Sequence, residues 1–326
     1  MWRLGLICAL VATSTTMAWG KSPEFSIPVD CQLGETCYIQ NYVDTLPAQG
    51  RVADFACGPL SYDGHKGTDF ALHSEAQMAK GVAVIAAADG VVRGVRDEMP
   101  DTGLTPDTAS ALEGRECGNG IVIDHGDGWI SQYCHLKRGS VSVQKGQEIK
   151  EGQPLGLIGF SGRTEFPHLH FAVRNHEQVI DPFDPGGTSA CSIAENSLWK
   201  VTPPYQAGGL LDLGFASKVP DFSDIKAGTA HLEKLTAKSD AIVLWVYTFG
   251  TRKGDIIRFR FDGPQGVVFE HETPLDKTQA LAFRAAGKRR TIDAWPEGAY
   301  AGVASLWRKG QKIGEETVNI TLGLKP

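Results

Sequence analysis

The chain predicts a mainly β protein: an antiparallel β-sheet core followed by an immunoglobulin-like β-sandwich. Three observations predict it. Short apolar, β-branched runs fill residues 51–187 and return from 208 to 326, there at a spacing of about ten residues. Glycine is abundant, 38 of 326 residues, and lies among those short runs. Turn dipeptides such as Asp89-Gly90, Lys145-Gly146 and Glu151-Gly152 separate them.

The remaining bulk properties fit a folded soluble protein. Length suggests two domains, each with a core of its own. Hydrophobic content is 42% and charged content 21%. The net charge is −6 with no block of like charges, so a nucleic-acid partner is not expected.

In chain order, residues 1–20 read as a signal peptide. Arg3 supplies the basic start, "LGLICALVA" the apolar run, and cleavage is expected after Ala18 or Gly20. An uncleaved membrane anchor is the alternative, but the run is too short to span comfortably. No later stretch is apolar enough to cross, so no stable membrane insertion is expected. A periplasmic or secreted protein follows. Without Cys8, six of the seven cysteines remain: Cys31, Cys37, Cys57, Cys117, Cys134 and Cys191. An even number in an exported chain implies three disulfides. Six cysteines allow fifteen pairings. The expected ones are Cys31–Cys37, Cys57–Cys117 and Cys134–Cys191.

Residues 21–50 form a polar lead-in carrying the Cys31/Cys37 loop. Residues 51–190 form the first β domain. "VAVIAAADGVVRGV" reads as a hairpin about Asp89-Gly90, and "GNGIVIDHGDGWISQYCHL" as a second hairpin turning at His125–Gly128. Between them, Arg96–Gly118 is a long loop with a short helix at "DTASALEG". "HLHFAVR" is a further strand, and "DPFDPGG" ends the domain. Residues 191–207 are a linker. Residues 208–326 hold six strand-like runs, the predicted sandwich, and no titratable cluster.

The chemistry lies in the histidines. In "HLHF", His168 and His170 are two apart on a strand and share a face. In "DGHKGTDF" the glycines exclude a comfortable helix, so His65 and Asp69 sit on a loop entering a strand. His135 ends a third strand. Two histidines and a carboxylate make a catalytic zinc set, with an open position for water, and two further histidines can move protons. Each pair alone is more commonly structural. His73, His125, His176, His231 and His271 have no such company and read as surface or turn residues. Asp63 and Glu165 are candidates for a supporting shell, or are simply solvated.

From about Gly58 to Pro185 the chain resembles the lysostaphin/LytM-type zinc metallopeptidases, the β-lytic peptidoglycan endopeptidases. The ordered matches are "HKGTDFAL", "VAVIAAADGVV", "GNGIVIDHGDGWISQYCHL", "VQKGQEIKEGQPLGLIGFSG", "PHLHFAVR" and "VIDPFDP". The resemblance implies one Zn2+ held by His65, Asp69 and His170, with His135 and His168 as the catalytic pair. Two departures stand out. "SGRTEFPHLH" replaces a loop that usually reads Ser-Thr-Gly-x-Ser-x-Gly-Pro-His, and the Arg96–Gly118 loop is long. The expected function is an exported zinc endopeptidase cutting the peptide part of peptidoglycan. The alternatives are a non-catalytic, zinc-containing wall-binding or activator protein, and a secreted protease acting on Gly-rich proteins. The C-terminal domain is expected to bind cell wall or a protein partner.

Overall fold

The computed structural model describes residues 22–46, 50–187, 191–231 and 235–323, so the expected signal segment lies outside the described residues. The described chain is mainly β. In order come β1 (Tyr38–Asn41), β2 (Thr68–Ala71), helix α1 (Glu75–Lys80), β3 (Ala83–Ile85) and β4 (Gly90–Arg96). There follow β5 (Asn119–Gly126), β6 (Trp129–Leu136), β7 (Glu148–Ile149), β8 (Pro154–Leu157), β9 (His168–Asn175) and β10 (Gln178–Ile180). Then come β11 (Gly209–Ala216), helix α2 (Phe222–Ala227), β12 (Ala241–Thr251), β13 (Ile256–Gly263) and β14 (Gly266–Pro274). The last three are β15 (Gln279–Arg289), β16 (Gly298–Arg308) and β17 (Gln311–Leu322). No helix among the described residues is long and apolar enough to cross a membrane.

An antiparallel sheet runs β1-β2-β9-β6-β5-β4-β7, with β10 paired to β9. Strand alternation sorts its side chains. Phe70, Leu169, Phe171 and Tyr133 point into one face and are fully buried in a core with Ile121, Ile123, Phe183 and Trp199. Asp69, His168 and His170 point to the other face. The loop expected at Arg96–Gly118 is present, with a 3-10 turn at Ala109–Leu112.

Two further sheets, β11-β12-β15 and β14-β13-β16-β17, pack face to face. Ile242, Leu244 and Val246 of one meet Ile257, Phe259, Phe261 and Leu306 of the other. This is the predicted sandwich, with one strand the sequence did not suggest: β11, whose run "GLLDLGFA" carries glycines at both its start and its middle. The sandwich abuts the large sheet. Tyr38 and Ala71 share a buried cluster with Leu211, Trp245, Tyr247 and Phe249, and the Tyr38 and Phe249 rings lie 4.6 Å apart.

Two expectations are corrected. The first hairpin does not form. β3 leaves the large sheet to pair with β8, while β4 pairs with β5 and β7. Between them Ala86, Ala87 and Ala88 are buried rather than exposed at a turn, and the Asp89 carboxylate binds Lys150 and the amide of Glu151 instead of closing a hairpin. Two disulfides also differ from expectation. Cys31–Cys37 forms, but the others are Cys57–Cys191 and Cys117–Cys134. The reason is register: Cys117 enters β5, whose Gly120 lies opposite Cys134 on β6, bringing the two Cα atoms to 4.8 Å. Cys57 and Cys191 come together with their Cα atoms 4.9 Å apart, although 134 residues separate them.

Candidate metal centre

The site begins with register. On β2 and β9, Asp69 lies opposite His170 and Ala71 opposite His168, so the three titratable side chains share the face away from the core. His65 reaches them from the turn before β2. Gly64 takes φ 74°, and at Gly67 a Cβ would lie 2.7 Å from two ring atoms of His170. Only glycine lets this loop pass that close.

Three ligand-type atoms converge. His65 Nε2 is 3.1 Å from Asp69 Oδ2 and 3.1 Å from His170 Nδ1, and His170 Nδ1 is 2.8 Å from Asp69 Oδ1. His65 and Asp69 are buried, and the His170 side chain is 16% exposed. A carbonyl only accepts, so the 2.7 Å contact of His65 Nδ1 with Tyr42 O means that Nδ1 donates and Nε2 turns its lone pair to the cluster. Asn41 Nδ2 donates to Asp69 Oδ2 at 3.3 Å.

Two more histidines flank the cluster. His168 Nδ1 lies 2.9 Å from Phe166 O and 3.1 Å from Thr164 Oγ1, and its Nε2 lies 3.5 Å from Asp69 Oδ1. His135 Nδ1 donates to Ser161 O at 2.8 Å. In both rings Nδ1 carries the proton, which leaves Nε2 as the acceptor. His135 is reached by an exception to alternation. It follows Cys134, which sits opposite His170, so a regular strand would send it to the core face. Instead its φ is +65°, a left-handed conformation rare outside glycine, and its ring ends 4.6 Å from that of His168. The Cys117–Cys134 bridge and the bond from His135 N–H to Cys117 O hold that turn.

Electrostatics follow the packing. Burial raises the Asp69 pKa, but the neighbouring His65 and His168 and bonds from His170 and His65 outweigh it and hold the carboxylate well below its usual range. Burial lowers His65, yet Asp69 and Tyr42 O carry it above its usual value. His135 is pushed well down by burial and by His168 and His170 beside it. Burial also lowers His168, against the pull of Asp69. Tyr62 lies over His65, ring centroids 4.3 Å apart, and Phe166 stacks on His168 at 4.4 Å.

All five residues singled out in the sequence are thus brought together. Asp63 and Glu165 are not: Asp63 is exposed and accepts from Gly50 N–H, and Glu165 is exposed on the rim loop. His176, in the β9–β10 turn, and the exposed His231 and His271 are surface or turn residues. His73 and His125 are partly buried, and His125 stands at the β5–β6 turn. His73 is half-buried against Tyr38, and His125 bridges Asp89 O and Ser131 Oγ. Sequence reasoning missed Asn41, the Tyr42 carbonyl, Thr164 and Ser161. No signal marks them, because backbone carbonyls and lone polar side chains belong to no motif.

The donor set fits zinc. Two imidazole nitrogens and a carboxylate oxygen meet within ligand distance of one point, the nitrogen-and-oxygen set that zinc takes in place of the protons they otherwise share. The edge of a tetrahedron of zinc ligands is about 3.3 Å for Zn–N near 2.0–2.1 Å, close to the separations here.

Residues 63–182 match Peptidase family M23. Peptidoglycan DD-endopeptidase ShyA of Vibrio cholerae is 36% identical over 107 residues, 33% of this chain and 19% of that protein. Murein hydrolase activator NlpD of Escherichia coli is 32% identical over 136 residues, 42% of this chain and 29% of that protein. The chain therefore spans less than a third of the length of these relatives. A zinc containing peptidase from Vibrio cholerae, seen by crystallography, is 29% identical with a TM-score of 0.31, covering 48% of this chain and 39% of that one. The segment matched to Peptidase family M23, residues 63–182, carries all five site residues.

Proposed function

We propose that this protein is an exported zinc-dependent endopeptidase that hydrolyses peptide bonds in the peptide part of peptidoglycan. One observation carries the reading: His65 Nε2, an Asp69 carboxylate oxygen and His170 Nδ1 converge beside two histidines whose Nε2 atoms are free to accept a proton. His65, Asp69 and His170 would hold one zinc ion. When bound, zinc supplies the Lewis acidity that polarises an amide carbonyl and makes water a better nucleophile near neutral pH.

The chain's own residues supply the proton traffic. Lowered pKa values keep His135 and His168 neutral, so each presents Nε2 as an acceptor. One takes a proton from the attacking water and returns it to the leaving amine; the other takes a proton on Nε2 from solvent as negative charge develops beside it, hydrogen-bonds the oxyanion through that N–H, and gives the proton back to solvent when the carbonyl re-forms. Phe166 stacks on His168, and the exposed Tyr62 lies over His65, so an aromatic ring borders each of these two imidazoles. Export rests on the leading segment, and the polymer on the names of the relatives.

The likeness to a murein hydrolase activator favours a second reading, a protein that keeps the fold without turnover. Against it, every position of the five-residue set is filled. The zinc-loaded protein is expected to release new amino groups from purified sacculi and to stop when chelated. Sacculus binding without amine release would overturn the endopeptidase reading in favour of the activator. Release from pentaglycine or elastin but not from sacculi would overturn the substrate.

A further inference from the structure

A groove of about 880 Å³, whose lining includes none of the five site residues, lies at one end of the β11-β12-β15 sheet. Register explains how it forms. β11 ends at Ala216, opposite Val243, while Ala241 lies opposite Arg289 and Val243 opposite Gly287. The start of β12, the end of β15 and the segment leaving β11 therefore meet at one end. Gly287 adds no side chain there, and a Cβ would meet Ile242 O at 2.5 Å and Val243 Cα at 2.8 Å.

Charge gathers around that groove. Lys218, Lys238, Lys288 and Arg289 line it, all exposed, in a chain whose net charge is −6. Lys238 Nζ donates to Asp293 O and Lys288 Nζ to Val268 O. A carbonyl positions an ammonium without neutralising it. The one carboxylate on the lining, Asp240, is engaged by Arg290. The apolar lining is small: Val243 and Ala285 on one face of the sheet, with Ala286 turned to the sandwich core on the other.

We infer that this groove binds a carboxylate-bearing peptide with small side chains, the chemistry of the alanine-rich stems of uncut peptidoglycan. The cations meet the carboxylates and the small apolar lining accepts methyl groups. Six residue steps along β12, about 20 Å at 3.3–3.4 Å per step, separate Val243 from Phe249, which packs on Tyr38 of the large sheet. A stem held in the groove thus keeps the polymer near the cleft while another stem is cut. The choice of ligand rests on the peptidoglycan reading above; the anion site itself does not.

The test uses the full chain carrying Lys218→Glu, Lys288→Glu and Arg289→Glu together, all exposed positions outside the cleft. Binding to sacculi is read by co-sedimentation over a salt series, and turnover on a soluble cross-linked muropeptide is read separately. The variant is expected to bind sacculi about tenfold more weakly, with a flatter salt dependence, and to cut the soluble substrate at the unaltered rate. Unchanged sacculus binding overturns the inference. Displacement of the unaltered protein by inorganic phosphate or polyphosphate, but not by an alanyl-glutamate peptide, overturns the choice of a carboxylate ligand. If neither protein cuts the muropeptide while the binding difference persists, the inference stands and the endopeptidase reading falls.

Discussion

The large sheet and the sandwich both bury a carboxylate, and they treat it differently. In the sandwich, Asp255 is 1% exposed and meets Arg308, whose Nε and Nη2 reach its two oxygens at 2.9 and 2.7 Å. The remaining donors of Arg308 bind Ala207 O and Gly250 O, so the pair also fixes the chain entering the sandwich. In the large sheet, Asp69 is 2% exposed and its partners are His65, His168, His170 and Asn41. No lysine or arginine among the described residues reaches it. A buried carboxylate paired with a guanidinium serves structure; one met only by imidazoles, which can give up their protons, can take a metal cation instead.

That contrast can be broken from either side. Arg308→Ala should be the costlier change for the fold. It leaves Asp255 buried and unpaired, which costs roughly 3–5 kcal/mol, readable as a lower denaturant midpoint. The proposed amine release by the histidine cluster should be unaltered once the variant is folded. Loss of the Cys57–Cys191 bridge, as a double serine variant, should cost about 2–5 kcal/mol, because the bridge closes a loop of 134 residues. A smaller loss would mean that the packing around Phe55 and Phe183 already holds those segments.

Asp181 offers a pH-dependent test. Burial, with Asp184 and Asp54 beside it, pushes its carboxyl from 3.8 up to about 7, and its Oδ2 is buried without a partner. Because the folded pKa is the higher one, the folded state holds the extra proton between those values. Stability falls as pH rises from 3.8 through about 7, by roughly 4 kcal/mol at most at about 1.4 kcal/mol per pH unit. Asp181→Asn should therefore raise the melting temperature little at pH 4 and more at pH 8. An equal gain at both would show that Asp181 is ionised in the folded protein. The smallest effect is expected at Asn41. Asn41→Ala removes the bond to Asp69 Oδ2 and should weaken metal binding about 10–100-fold without unfolding the sheet. An unaltered metal affinity would remove Asn41 from the site.

Alternation and motif order made much of this legible. "HLHF" fixed two imidazoles on one face, and the glycines of "DGHKGTDF" forced a loop that reaches them. The sandwich showed through its regular strand spacing. What stayed hidden depends on contacts between distant segments. The β3 and β4 runs look like a hairpin, but burial of Ala86–Ala88 draws β3 toward β8. The disulfides follow a β5–β6 register that no cysteine spacing encodes. His135 reaches the site only because of a positive φ, which a histidine does not announce.

The central claim is that the buried histidines do chemistry beside a metal held by others. His168→Ala tests it most directly, with zinc content and amine release from sacculi measured on the same sample. Zinc should remain at about one per chain while release falls about 10²–10⁴-fold. Full release by His168→Ala would contradict the account.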